Sequence, residues 1–223
     1  MKNLFFGYKN YKIKKNKRLI IFKIRNKMEE IKEPNTKKAK SEKKISINTS
    51  NKGKIGEFQR MFNQFGYELD STNIDLKEII ASHDEVVAHK ASSLGEGILV
   101  EDTSLEIEGK EEEGINIKWI LSNMGEFIGK KATWIVLLGI MQGEKVNLYK
   151  GVTEGEIVEP SGEGGFGFDP IFRPIGSEKT LAQEKKDETS ARFRAIKNLC
   201  ESNIYKSVDP IKEWKGKWQN EDN

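Results

Sequence analysis

Three features of the sequence point to an α/β fold. Apolar runs of strand length alternate with stretches of helical period, polar and glycine-rich turns punctuate them, and two long apolar runs flank a Gln142-Gly143-Glu144 turn in the manner of a hairpin.

In chain order, Ile45-Ser46-Ile47-Asn48-Thr49 alternates apolar and polar residues as a half-buried strand does. The polar loop Ser50-Asn51-Lys52-Gly53-Lys54 follows, then an amphipathic helix expected from Ile55 to about Phe65. Tyr67 to Asp70 reads as a second strand. Ile74 to Glu78 leads towards a helix from about Asp84 to Leu94, whose Val86, Val87, Ala91 and Leu94 form the buried stripe and leave Lys90 off it. Ile98-Leu99-Val100 is a short interior strand that continues into Leu105-Glu106-Ile107. An acidic turn is expected from Lys110 to Glu113, and the period from Ile115 to Leu121 is unclear. Ala132 to Met141 and Lys145 to Val158 are the hairpin strands. Gly162 to Pro170 is a glycine-dense loop, and a last helix is expected from about Leu181 to Glu201, with Phe193, Ile196, Leu199 and Cys200 on its core face. The final stretch, with Trp214 and Trp218, reads either as a tail or as a docked segment.

Composition divides the chain. At 223 residues there is room for one domain of roughly 180 residues plus an extension. The 36% hydrophobic and 33% charged content is polar for a single globule, and charge asymmetry explains it. Through Lys44 there are sixteen Lys and Arg against four Glu, a net of +12, so with +3 overall the remainder carries −9. A basic extension over residues 1–44, read as disordered, therefore precedes an acidic folded domain over 45–204 and a C-terminal tail over 205–223. Lys14-Lys15-Asn16-Lys17-Arg18 allows weak contact with nucleic acid, against a plainly solvated tail. Leu19 to Phe22 is too short for a signal-peptide core, and no cleavage pattern follows it. The single Cys200 rules out an internal disulfide and fits a reducing, cytoplasmic setting, and no apolar stretch is long enough to span a bilayer.

Two places carry chemistry. Val100-Glu101-Asp102-Thr103 ends an apolar strand in paired acids, and because neighbouring strand residues face opposite ways, the two carboxylates should do different jobs. Whichever faces the cleft could hold a hard cation such as Mg²⁺ or take a proton from water. The competing reading is an ordinary strand-to-turn exit. Ser50 to Lys54 places lysines and a glycine at a helix start, where exposed amides can cradle a phosphate, although the same residues also suit a plain cap and turn.

Thr49-x-Asn51-x-x-Lys54-x-x-Glu57, Val100-Glu101-Asp102-Thr103, Ile117-Lys118-Trp119, Gly165-Phe166-Gly167-Phe168-Asp169-Pro170-Ile171-Phe172 and Ser190-x-Arg192-x-Arg194-Ala195 arrive in one order over roughly residues 45 to 200. Together they resemble the inosine triphosphate pyrophosphatase family. The resemblance implies an elongated α/β fold around a long twisted mixed β-sheet flanked by helices, and a homodimer. It also implies hydrolysis of deaminated purine nucleoside triphosphates (ITP, dITP, XTP) to the monophosphate and pyrophosphate, with Mg²⁺, or Mn²⁺, as the metal. Under it Thr49, Ser50, Asn51, Lys52, Gly53 and Lys54 would meet the triphosphate, with Thr103 beside them. Glu78 and Asp102 would hold the metal, and Asp102 would also orient or deprotonate the attacking water. Lys90, Lys118 and Lys186 would supply positive charge around the phosphates and base. Phe166, Gly167, Phe168 and Asp169 would form the base pocket, and Arg192 would donate to the six-position carbonyl of a deaminated purine.

The chain departs from the family pattern at four points. Ala191 stands where the family has His, Gln183 and Asp187 replace an acid and an Asn, and the Pro of a turn before Ile117 is absent. Base discrimination is therefore expected to be narrower than in relatives that keep the His. The same departures suggest the competing reading of a nucleotide-binding protein with weak catalysis.

Overall fold

The computed structural model describes residues 43–110 and 117–219. Residues 1–42 of the basic extension and the acidic turn after Lys110 fall outside the described residues, while Lys43 and Lys44, expected in the extension, already belong to the first strand.

Strand β1 (Lys43–Asn48) enters the core with Ile45 and Ile47 and hands over to helix α1 (Lys52–Gln64), which starts three residues earlier than its apolar period suggests. The reason is a cap: Asn51 sits in extended conformation and its Oδ1 accepts from the Lys54 amide at 3.1 Å. Strand β2 (Tyr67–Thr72) returns beside β1, in parallel. Helix α2 (His83–Leu94) opens with a capping box between Ser82 and Glu85. Strand β3 (Ile98–Ile107) is one uninterrupted element, so the acids and hydroxyl of Glu101-Asp102-Thr103 lie within a strand and not at its exit. Helix α3 (Ile117–Ser122) settles the stretch of unclear period.

Strands β4 (Lys131–Gln142) and β5 (Lys145–Ile157) form the expected hairpin, with Gln142 opposite Lys145. Gly143 at φ 63° leads the two-residue loop, as a II′ turn requires. Short strands β6 (Phe172–Pro174) and β7 (Lys206–Val208) both pair with the free edge of β5. The long last helix is corrected: helix α4 spans Ala191–Cys200, and only a 3₁₀ turn at Asp187–Thr189 precedes it. Ser190 ends the irregular stretch because its hydroxyl accepts from the Phe193 amide and caps α4. The segment after 205 is docked: β7 extends the sheet and Trp218 bridges to Ile79.

The sheet is mixed, in the order β2-β1-β3-β4-β5-β6, with β7 also on β5. Helices cover both faces. Along β4, Trp134, Val136 and Leu138 point to one side with Phe58, Met61 and Phe62 of α1 and Ala195 and Ile196 of α4. Leu137 points to the other, with Val87 and Ala91 of α2 and Leu148 of β5. This period of two also sorts β3: Leu99 faces α1 and α4, and Val100 faces α2. Strand β1 pairs with β3 only at Ser46 and Ile47, opposite Ile98 and Leu99, so from Glu101 to Glu106 the strand neighbour of β3 is β4 alone. A cleft opens there, past the carboxyl end of β1, the position where open α/β sheets hold ligands.

Helix α4 lies close on β5. A methyl group at Gly151 would collide with the backbone of Ala191 and Ala195, where nothing flexible can give. Gly151→Ala should therefore lower stability by about 3 kcal/mol, read from urea unfolding midpoints at unchanged slope.

Candidate active site

The cleft is a cavity of about 740 Å³, lined at one end by Asn51, Lys54, Glu78, His83, Asp102 and Thr103 and at the other by Trp134, Phe166, Gly167, Phe168, Asp169, Lys185 and Arg192. Its size suits a nucleotide.

The two acids of β3 take opposite faces and enter two separate ion clusters. Glu101 is buried and receives Lys54 Nζ at 2.5 Å, Arg192 Nη2 at 2.8 Å and the Thr103 hydroxyl at 2.5 Å. Burial, the largest single influence, opposes its ionisation, but Arg192 and Lys54 outweigh it and hold the carboxyl well below the usual carboxylate range. Asp102 is partly open to the cavity and accepts from Lys90 Nζ at 2.8 Å, while His83 Nε2 lies 3.1 Å from its other oxygen. Burial again works against the charge, and the contacts with His83 and Lys90 outweigh it, so Asp102 also titrates below its ordinary value.

Lys90 binds Glu78 at 2.6 Å as well as Asp102. Although it lies off the apolar stripe of α2, Lys90 is buried, and its stem reaches both acids. Desolvation presses its pKa down most strongly, yet the two carboxylates together raise it above the ordinary value. One ammonium held between Glu78 and Asp102 shows that these oxygens are close enough to share a cation. Among the described residues no group of three or more His, Cys, Asp and Glu forms a metal cage. Two carboxylates without such a cage fit Mg²⁺, which keeps waters and takes its remaining ligands from substrate phosphates.

At the other end, Arg192 is 1% exposed and donates to both Glu57 and Glu101, with its guanidinium against the rings of Phe58, Trp134 and Phe166. Desolvation is the largest influence on its pKa and is outweighed by those carboxylates, so the guanidinium stays charged. Arg192 lines the cavity, and its bonds to Glu57 and Glu101 use one N–H of each terminal nitrogen, so further N–H donors remain for a ligand. Ala191 is fully buried at the α4–sheet contact and off the cavity wall, so an imidazole at that position would enter packed core.

Phe166 and Phe168 separate in role. Phe168 packs edge-on to Trp134 and Phe172, whereas the Phe166 ring meets Lys185 at 4.8 Å and lies so close over Gly53 that a methyl there would strike it. Asp169 accepts from the Phe166 amide at 2.9 Å and from Lys185 at 2.8 Å, and burial raises its pKa. Gly165 at φ 74° makes this tight turn, and a side chain there would displace the Asp169 carboxylate.

Lys186 is corrected. Its side chain is 59% exposed, and the ammonium pairs with Glu184 away from the cavity. Lys185 is the residue that turns inward, to Glu57 and Asp169, and adjacent lysines in an irregular segment give the sequence no means to choose between them. Of the loop before α1, Asn51 and Lys54 line the cavity, and Thr49 accepts from the Asn51 amide at 3.2 Å. Ser50, Lys52 and Gly53 are exposed and off the wall. The side chain of Lys118 lies outside the described part of the structure. His83 and Glu57 are site residues that the sequence reading gave no role. The only signal for Glu57 was its place in the first motif, three residues after Lys54 on the face of α1 that meets α4.

A sequence model of the Ham1 family matches residues 45–202. The chain is 35% identical over 170 residues to an inosine triphosphate pyrophosphatase of Yarrowia lipolytica, covering 68% of this chain and 90% of that protein. It is 37% identical to one from Scheffersomyces stipitis, over 60% of this chain and 78% of that protein. A dITP/XTP pyrophosphatase of Methanopyrus kandleri is 31% identical, over 71% of this chain and 95% of that protein. With the paired acids of β3 and the charged residues that line the cleft falling inside the matched region, the chain belongs to the Ham1 family.

Proposed function

We propose that the protein hydrolyses deaminated purine nucleoside triphosphates (ITP, dITP, XTP) to the nucleoside monophosphate and pyrophosphate, with Mg²⁺, or Mn²⁺, held by Glu78 and Asp102. The observation that carries this reading is the pair of carboxylates converging on Lys90 at one end of a nucleotide-sized cavity whose other end is aromatic. The activities that the relatives are named for support the same substrate class.

The chain's own residues divide the work. The amide-rich start of α1, with Asn51 and Lys54 at the wall, suits the triphosphate. Phe166 offers a ring face to the base. Asp102, kept ionised by His83 and Lys90, is a better holder of a cation and acceptor of a water proton's hydrogen bond than a store for that proton, since a depressed pKa makes a weak base. A bound Mg²⁺ would supply neutralisation of phosphate charge and a more acidic water. Lys185, poised over Phe166 and only 13% exposed in its side chain, is a second donor beside the base ring, together with Arg192, whose remaining N–H groups can still donate. A cytoplasmic homodimer belongs to the same proposal, and sedimentation of the full chain tests its oligomeric part. Among the described residues no helix is long and apolar enough to cross a membrane.

The alternative is a nucleotide-binding protein with weak or altered catalysis, suggested by Ala191, Gln183 and the missing Pro, the last of which lies outside the described residues. Gln183 Oε1 accepts from the Thr180 amide and Asp187 pairs with Arg60, so neither touches Asp102.

Incubation with ITP and Mg²⁺ should release pyrophosphate as the primary product, and orthophosphate in its place would overturn the assignment. Asp102→Asn keeps shape but removes charge, and should lower kcat/KM for ITP by at least a hundredfold. The Glu101 cluster answers to stability. Glu101→Gln leaves Arg192 and Lys54 short of a buried countercharge and should cost about 3 to 5 kcal/mol at neutral pH. Because the folded pKa of Glu101 is depressed, its contribution is complete above its unfolded value of about 4.3 and fades as pH falls towards the folded one. The difference in unfolding free energy between wild type and Glu101→Gln should therefore shrink on acidification.

A further inference from the structure

The family match ends at residue 202, yet the chain continues in order to the cavity. After β7 joins β5, the Ile211 amide donates to Ser92 Oγ of α2 at 2.9 Å. Trp214 Nε1 donates to the Lys217 carbonyl at 3.0 Å, closing a turn, and Trp218 sets its ring edge-on to buried His89 with centroids 5.4 Å apart. Residues 217–219 then pair with the segment that carries Glu78. The Ile80 amide donates to Lys217 O at 2.9 Å, the Gln219 amide donates to Glu78 O at 2.8 Å, and Trp218 bridges Ile79 in antiparallel sense.

This pairing matters because Glu78 has no regular element of its own. Residues 73–78 are irregular, between the end of β2 and the cap of α2, so helix or strand hydrogen bonds do not fix the Glu78 backbone. Both backbone hydrogen bonds that span Glu78 to Ile80 come from the C-terminal strand, and Gln219 stands on the cavity wall beside Glu78. We propose that residues 217–219 position Glu78 for metal binding, so that a segment outside the family region sets the affinity of the Glu78–Asp102 site for a divalent cation. Gln219, through its backbone amide, and Trp218, through its packing on His89, are the positioning residues. The inference rests on the metal role proposed above for Glu78 and Asp102.

The test is a nucleotide-free Mn²⁺ titration of the full chain followed by EPR. Gln219→Pro deletes the amide that Glu78 O receives while favouring the extended conformation that Trp218 already has. It should weaken Mn²⁺ binding about tenfold, as loss of an outer-shell partner does, with kcat recovered at saturating Mg²⁺. Gln219→Ala keeps the amide and should bind as wild type does. Trp218→Ala loosens the same pairing without changing the backbone, and should shift affinity in the same direction even if Pro disturbs folding. Wild-type Mn²⁺ affinity in both Gln219→Pro and Trp218→Ala, alongside weakened binding in Glu78→Gln, would overturn the positioning role alone. Equal weakening in Gln219→Ala would also overturn it, since the side chain and not the pairing would then be responsible. Wild-type affinity in Glu78→Gln would overturn the metal reading itself.

Discussion

Six side chains of alternating charge run under the cleft: Lys54, Glu101, Arg192, Glu57, Lys185 and Asp169, each in contact with the next. They come from α1, β3, α4 and the two loops around the aromatic pocket. Burying any one of these charges alone would cost several kcal/mol, so each element can take its place only if its neighbours have taken theirs. The row thereby fixes the start of α1 and the aromatic glycine-rich loop relative to each other across the cavity. Arg192 is its centre, 1% exposed and enclosed by Phe58, Trp134 and Phe166.

Strand β3 lets this row coexist with a reactive cluster. Because successive side chains change face, Glu101 spends its charge on architecture and Asp102, one residue on, meets Lys90, Glu78 and the open cavity. The early end of the β1–β3 pairing leaves space for both. A register slip of one residue would exchange the two roles, burying the cavity-facing acid and exposing the structural one.

Much of this was legible in the sequence. Alternation marked β1, the Gln142-Gly143-Glu144 turn marked the hairpin, and the adjacency of Glu101 and Asp102 foretold two separate functions. What failed did so for local reasons. A helix was expected from Leu181 because residues 181–189 carry no strong breaker, but the cap that starts a helix is a hydrogen bond, and it is made at Ser190. Lys90 is buried although it lies off the apolar stripe, because a helical wheel records direction and not the reach of a four-carbon stem. The carboxylate partners of Arg192, Glu57 and Glu101, are distant in sequence, and only the fold brings them to it. Lys185 and Lys186 cannot be told apart by residue type at all.

The contact between Gly53 and Phe166 has an evolutionary side. The ring occupies the space where any other residue at position 53 would place its first side-chain carbon. Drift at either position therefore alters what the other can accept, and the effects of changes at the two will not add. The start of α1 and the glycine-rich loop, more than a hundred residues apart in the chain, are thus bound to vary as one unit. A lineage that removed that ring would find the start of α1 released from its glycine at the same time.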